Sequence, residues 1–531
     1  MRALRTSLIA FVLTALACPG PGHSARILGL FPHFGKSHYM VFQPLLRTLA
    51  ERGHQVTTVS FFPLENPPQN YTDVRLESSV PHGVESLDIS IFKPNPLMNV
   101  PILNTFLQTH GTVSQVGIWA LKLCKDIIGQ PAVAEALKQK YDVVLMENFN
   151  SDCMFGLMNV YGLEAPVIAL SSCLPMPWTP TRFGLPDNPA YVPLIATPYT
   201  SKMTFKERFE TFFLKLYLTY WYHEEVQEKE RAMIEKYFGK TIPDLEELGK
   251  KYTSILLVNT FPTLNGVRPL LPSIIEVGGM HLDHSKKVIP SYIERFLNES
   301  EHGVILLSFG SLIKTATIPK YKEEIIVNTL SKLKQRVIWK YEDSGEEGTL
   351  SGNILRVKWL PQYELLQHKK IVAFIAHGGL LGMTEAISAG KPMVVVPFFG
   401  DQPANAAAAA AVGFAKVVPY LELNEKALTE ALAFVLSAET RVHARRISSI
   451  WRDRQADPLE TAVYWTERVI RWGNTAPLHS AARDMPLYQV ALLDVIAAFI
   501  VAILILLAIS WYTLSMVFRL LFGKESKLKM N

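Results

Sequence analysis

Short apolar runs alternate with longer amphipathic stretches through most of this chain. RILGLFP (26–32) is apolar after its first residue and reads as a buried strand. Tyr39 to Ala50 has helical spacing, Gly53 marks a turn, and HQVTTVSFF (54–62) reads as the next strand. Further strands are predicted at YDVVLMEN (141–148) and PVIALSS (166–172). Strands this apolar belong to a parallel sheet covered on both faces. The pattern restarts at GVILLSFGSL (303–312) and continues through VIWKY, ILRVKWLPQ, IVAFIAHGG and PMVVVPFFGDQ. The prediction is α/β, with two doubly wound domains over 25–280 and 281–482 that face one another across a cleft. HLDHSKKVIPSYIERF (281–296) reads as a polar bridge between them. Ligands of such sheets bind beyond the carboxyl ends of the strands, so both domains offer loops to one cleft. Between Thr200 and Lys251 the chain turns amphipathic and aromatic, as one or two helices. These either pack on the first domain or present a surface to membrane or acceptor.

The two ends carry a different pattern. Residues 1–24 combine Arg2 and Arg5, an apolar run from Leu8 to Ala17, and small residues at Gly22 and Ser24. This is a signal-peptide pattern. Val495 to Phe518 is uncharged and long enough to cross a bilayer, which takes ~20 residues. The tail, 519–531, is short and basic and is expected in the cytosol. Both ends predict a single-pass type I protein with a lumenal body. Lys527 and Lys529 resemble a dilysine retrieval signal for the endoplasmic reticulum.

Composition narrows the class. A net charge of +5 over 531 residues gives no concentrated basic face for nucleic acid. With Cys18 in the leader, Cys124, Cys153 and Cys173 remain, too few for a disulfide framework. No His/Cys cluster has metal-ligand spacing. Asn70 and Asn298 head glycosylation sequons.

The chemistry concentrates between Trp359 and Asn405, WLPQYELLQHKKIVAFIAHGGLLGMTEAISAGKPMVVVPFFGDQPAN. His377, Gly378 and Gly379 follow a strand and open a helix, where backbone N–H groups and the helix dipole favour a phosphate. Gly310 and Ser311 close another strand toward the same spot. Trp359 offers a flat face to a base and Gln362 an amide to its edge. Glu385 suits ribose hydroxyls, and Asp401 beside Gln402 suits the hydroxyls of a hexose.

This run resembles the signature of the UDP-glycosyltransferase superfamily, in particular its animal membrane-bound members, over nearly the whole chain. The resemblance implies the GT-B fold of two Rossmann-like domains. It implies that Trp359 and Gln362 hold uracil, and that Glu385 holds the ribose. Ser311, His377 and Gly379 would hold the diphosphate, with the Gly382 N–H available to the α-phosphate. Asp401 and Gln402 would read the sugar, with Asn405 near the same pocket. Ser37-His38 opens the family setting SHxxxxxPLxxxLxxRGHxVT, which makes His38 the catalytic base. A base histidine needs an orienting carboxylate. Vertebrate members have an aspartate where Glu147 stands, and Asp152 follows five residues later, so both carboxylates are candidates. The departure resembles insect members. His54 reads as structural, and Lys391 as a solvated surface residue. The resemblance further implies UDP-sugar as co-substrate, no separate cofactor, and a small lipophilic acceptor. Glucose is the expected sugar, with inversion to a β-glycoside and a role in detoxification. A non-catalytic lipophile carrier of the same fold and a transferase acting on lipid- or protein-linked glycans are the alternatives. A homo-oligomer through membrane-proximal parts is compatible with the chain.

Overall fold

The computed structural model describes residues 24–522 except 86, 93–100, 283–287 and 474–477. The predicted leader, up to residue 23, and the dilysine tail lie outside the described residues.

The first sheet has seven strands: β1 (Arg26–Phe31), β2 (Gln55–Ser60), β3 (Tyr71–Arg75), β4 (Val143–Glu147), β5 (Val167–Ser171), β6 (Thr253–Val258) and β7 (Ile274–Glu276). Their order is β3-β2-β1-β4-β5-β6-β7, and all pairs are parallel. The second sheet has β8 (Val304–Ser308), β9 (Arg336–Lys340), β10 (Thr349–Ser351), β11 (Ile354–Val357), β12 (Ile371–Ala376), β13 (Met393–Val395) and β14 (Ala415–Val417). Its order is β10-β11-β9-β8-β12-β13-β14, with only β10 antiparallel to its neighbour. Every residue of β4, β5 and β8 is buried, because helices cover both faces of each sheet. That double covering is why these strands read as unbroken apolar runs.

Eight helices matter below: α1 (Lys36–Glu51), α2 (Pro101–Ile128), α3 (Cys153–Tyr161), α4 (Phe205–Tyr222), α5 (Leu380–Ser388), α6 (Gln402–Val412), α7 (Pro458–Trp472) and α8 (Leu493–Phe522). α1 starts three residues before the predicted Tyr39, after an extended Gly35, so His38 sits in its first turn. Tyr39, Phe42, Leu45, Leu46 and Leu49 hold α1 on the first sheet.

Both chain orders reverse at one gap, between β1 and β4 in the first sheet and between β8 and β12 in the second. Loops leaving the two strands on either side of such a gap run in opposite directions and open a crevice. Residues 32–38 and 148–152 flank the first crevice; 309–312 and 377–379 flank the second.

The halves are also stitched together. Leu87–Asp88 pairs in parallel with Ile313–Lys314. The Glu85 N–H donates to Ser311 O at 2.7 Å, and Ile89 is buried in the core of the second half. α7 packs against α1 and adds Ala462, Val463 and Val469 to the first core.

Three sequence expectations need correction. Cys124 in α2 and Cys153 at the start of α3 form a disulfide, leaving Cys173 free and buried. Three cysteines make no framework, but their separation of 29 residues hid a pair that the fold brings together. Lys391 is not a solvated residue: its Nζ donates to His368 O at 3.1 Å and Ile371 O at 2.8 Å. Burial pushes it down to about 8. Part of the 281–296 bridge is a helix, Ser291–Asn298, whose Ile293, Phe296 and Leu297 enter the second core.

A separate compact unit begins at His479 and carries α8. An 18-residue stretch of α8 has mean hydropathy 2.9 and none of the helix is buried, as a membrane span requires.

Candidate active site

In the first crevice, β4 ends on Glu147 and the first turn of α1 supplies His38. Glu147 is buried, and its Oε1 lies 2.5 Å from His38 Nδ1. A carboxylate can only accept, so Nδ1 carries the proton and Nε2 keeps a free lone pair. Ser172 Oγ, just past β5, lies 2.9 Å from the same Nδ1. The ring is wedged between His33, stacked at 3.8 Å, and the edge of Phe149 at 4.7 Å. His33 is held neutral, far below its ordinary range, by burial and then by His38, and its Nδ1 accepts the Gly35 N–H at 2.9 Å.

His33, His38 and Glu147 offer atoms close enough for a metal ion. The two rings lie within 10° of parallel, however, so their in-plane lone pairs run side by side instead of converging. The Glu147–His38 hydrogen bond accounts for the cluster more simply.

In the second crevice the predicted residues gather in three groups. His377 follows β12 and is tightly enclosed: a Cβ at Gly310 would stand 2.6 Å from its ring, and one at Gly379 2.4 Å. Gly310 also has φ +80°, which favours glycine. Burial pushes His377 down to about 4, so it is neutral. Gly379 caps α5, whose first N–H groups at Leu380, Leu381 and Gly382 have no acceptor within the helix. The second group is Gln362, Gly382 and Glu385, while Trp359, three residues before Gln362, has the Lys340 ammonium 5.5 Å from its ring. Gln362 Nε2 donates to Glu385 Oε2 at 2.6 Å, and a Cβ at Gly382 would lie 3.3 Å from that amide. The Trp359 ring is half exposed. The third group opens α6. Asn405 Nδ2 donates to Asp401 Oδ2 at 2.8 Å and to Gly378 O at 3.1 Å, tying the loop after β13 to that after β12. Burial raises Asp401, offset by Asn405 and by the nearby charge of His38. α6 itself meets the first half: Ala404 is buried in one cluster with Cys173 and Leu174. Gln402 Oε1 accepts from the Phe398 and Phe399 N–H groups at 2.8 and 3.2 Å. Ser311 accepts the Glu85 N–H through its backbone carbonyl.

A model for UDP-glucoronosyl and UDP-glucosyl transferase matches residues 29–528. The chain belongs to this family. It is 34% identical to UDP-glycosyltransferase UGT5 of Dactylopius coccus, with 98% of each chain covered. It is 31% identical to UDP-glucuronosyltransferase 2B1 of Rattus norvegicus, with 92% of each covered. Among solved structures, the glycotransferase of kitacinnamycin superposes with TM-score 0.53 at 19% identity, covering 84% of this chain and 98% of that one. CalG4, the calicheamicin glycosyltransferase, gives 0.53 at 16%. These likenesses show the GT-B fold. As a UDP-glycosyltransferase the chain transfers a sugar from a UDP-sugar to an acceptor, and α8, the one helix among the described residues long and apolar enough to cross a membrane, is consistent with a C-terminal anchor.

Within this UDP-glycosyltransferase the second candidate carboxylate goes elsewhere. Asp152 accepts from both terminal nitrogens of Arg182, at 3.0 and 3.1 Å, and from Gln227 at 2.8 Å. Arg182 is fully buried, and also donates to Asn148 Oδ1 at 2.9 Å and Glu246 Oε2 at 2.6 Å. So Asp152 and Asn148 fix the two ends of the loop that follows Glu147. Sequence reasoning did not find Ser172, Phe149 or Arg182. A serine ending an apolar strand was the only signal for Ser172, and nothing local marked the other two. His54 is structural, as its Nδ1 accepts the Ala25 N–H at 3.2 Å.

Proposed function

We propose that this UDP-glycosyltransferase moves glucose from UDP-glucose to a hydroxyl of a small lipophilic acceptor, with inversion to a β-glucoside. The observation that carries the reading is His38, fixed at Nδ1 by Glu147 and left with Nε2 as a base. The acceptor hydroxyl gives its proton to Nε2 as its oxygen attacks the anomeric carbon, and UDP leaves from the opposite face. Negative charge grows on the diphosphate. His377, Gly379, Ser311 and the first N–H groups of α5 stabilise it. Trp359 stacks on uracil with Gln362 at its edge, and Glu385 takes the ribose. Asp401 and Gln402 read the hexose, from the start of α6, whose Ala404 packs on the first half. Asn405 holds Asp401 in place.

Glucose is favoured by the relative named UDP-glucosyltransferase 2 of Dactylopius coccus, 33% identical over 90% of the chain. The apolar, aromatic segment around 174–222 suits a phenol or similar acceptor, and detoxification is the matching role. We place the enzyme in the endoplasmic reticulum membrane, body lumenal. The test is UDP release by membranes carrying the full chain, with UDP-glucose and a panel of phenols, beside His38→Ala. Release that needs both acceptor and His38, with a β-glucoside product, supports the reading. Turnover only with UDP-glucuronate overturns the donor. UDP binding without turnover favours a lipophile carrier.

A further inference from the structure

Helix α4 begins with a capping box: the Glu207 N–H donates to Thr204 Oγ1, and the Thr204 N–H to Glu207 Oε2. Its inner face buries Thr211, Leu214, Leu218 and Tyr222, at helical spacing. α2 packs alongside. The opposite face is apolar too. Phe205, Phe209, Phe212, Phe213, Leu216 and Tyr220 recur at the same spacing and are 44–75% exposed. Their rings touch in sequence, Phe209 to Phe213 at 4.5 Å and Phe213 to Phe212 at 5.2 Å, so they form one slab. Five rings at this exposure leave on the order of 600 Å² of aromatic surface in solvent. That equals the largest apolar patch an ordinary soluble monomer shows. Exposed Lys202 and Lys206 flank the start of the stripe.

We propose that this stripe docks the catalytic body onto the bilayer surface, with the rings among the acyl chains and Lys202 and Lys206 at the phosphates. The inference rests on the reading of α8 as a membrane anchor, which keeps the body beside a bilayer. A monotopic helix of this kind lies in the interface with its apolar face buried ~5–10 Å. The aromatic surface matches acyl chains, and the cations match anionic headgroups. Docking would also open the body to acceptors dissolved in lipid.

The test places nitroxide labels on the full chain, reconstituted in phosphatidylcholine–phosphatidylinositol vesicles. Cys124 and Cys153 are paired and Cys173 is buried, and with Cys18 changed to Ser in every variant an introduced cysteine is the reactive one. Phe213→Cys probes the stripe, Leu506→Cys the anchor, and exposed Lys426→Cys serves as the aqueous control. The expected result is an oxygen-to-nickel-chelate accessibility ratio at Phe213→Cys several-fold above the control. A ratio equal to the control, with Leu506→Cys in lipid, overturns the docking and leaves the anchor standing. An aqueous ratio at Leu506→Cys overturns the anchor itself. A label at 213 shielded from both reagents overturns the proposal in favour of a contact between two copies.

Discussion

Glu147 Oε1 and His38 Nδ1 are 2.5 Å apart across the gap where the order of the first sheet reverses. The contact fixes the tautomer and leaves the Nε2 lone pair free to accept a proton. Glu147→Gln keeps the size but loses the charge that stabilises the protonated ring. We expect kcat to fall by roughly 10²–10⁴ with little change in the KM for UDP-glucose. Steady-state kinetics over a pH series checks this. Unchanged kcat would remove Glu147 from the mechanism.

Arg182 is expected to matter through stability first. Replacing it by Met leaves buried Asp152 and part-buried Glu246 without their cation, beside Glu230, which burial already raises well above the carboxylate range. Breaking one side of such a cluster costs about 3–5 kcal/mol. Thermal unfolding in detergent should show the loss, and adding Asp152→Asn should recover part of it. Equal stability of the single variant would contradict the network.

Gly379→Ala should weaken UDP binding. The added Cβ would stand 2.4 Å from His377 Nε2, so the ring or the start of α5 must move. Calorimetric titration with UDP should show at least a tenfold rise in Kd, about 1.4 kcal/mol. Gly53→Ala is the contrast: its Cβ would meet nothing, though its φ of +95° carries strain, so only stability should respond.

His377 makes stability depend on pH. Its folded value is about 4, while an unfolded histidine titrates near ~6.5. Between these values the unfolded chain binds a proton that the folded chain refuses. Stability therefore falls as pH drops from about 6.5 to about 4 and is unaffected by this group above that window. Urea unfolding of His377→Gln from pH 4.5 to 7 should show a shallower slope, by roughly 1.4 kcal/mol per pH unit. An unchanged slope would mean that His377 does not titrate this way.

Much of this was legible along the chain. The strands were readable because parallel strands buried on both faces are continuously apolar, as β4 and β8 are. The residues after β12 and β13 were readable because a glycine-rich turn into a helix has one local geometry. The choice between Glu147 and Asp152 was not readable. The two stand five residues apart, and only the path of the loop between them sends one to His38 and the other to Arg182.

The sequence by itself determined the two α/β halves, the apolar anchor and the identity of the polar groups at each strand end, since these follow from local periodicity and residue chemistry. Only the tertiary structure decided which groups meet. The Cys124–Cys153 bond, the hold of Arg182 on both ends of the 148–152 loop, the pairing of Leu87–Asp88 with Ile313–Lys314 of the second half and the outward turn of the aromatic face of α4 join residues distant in sequence or select one side of a helix. Such pairings depend on how covered sheets and helices stack to exclude water, and no local pattern encodes them.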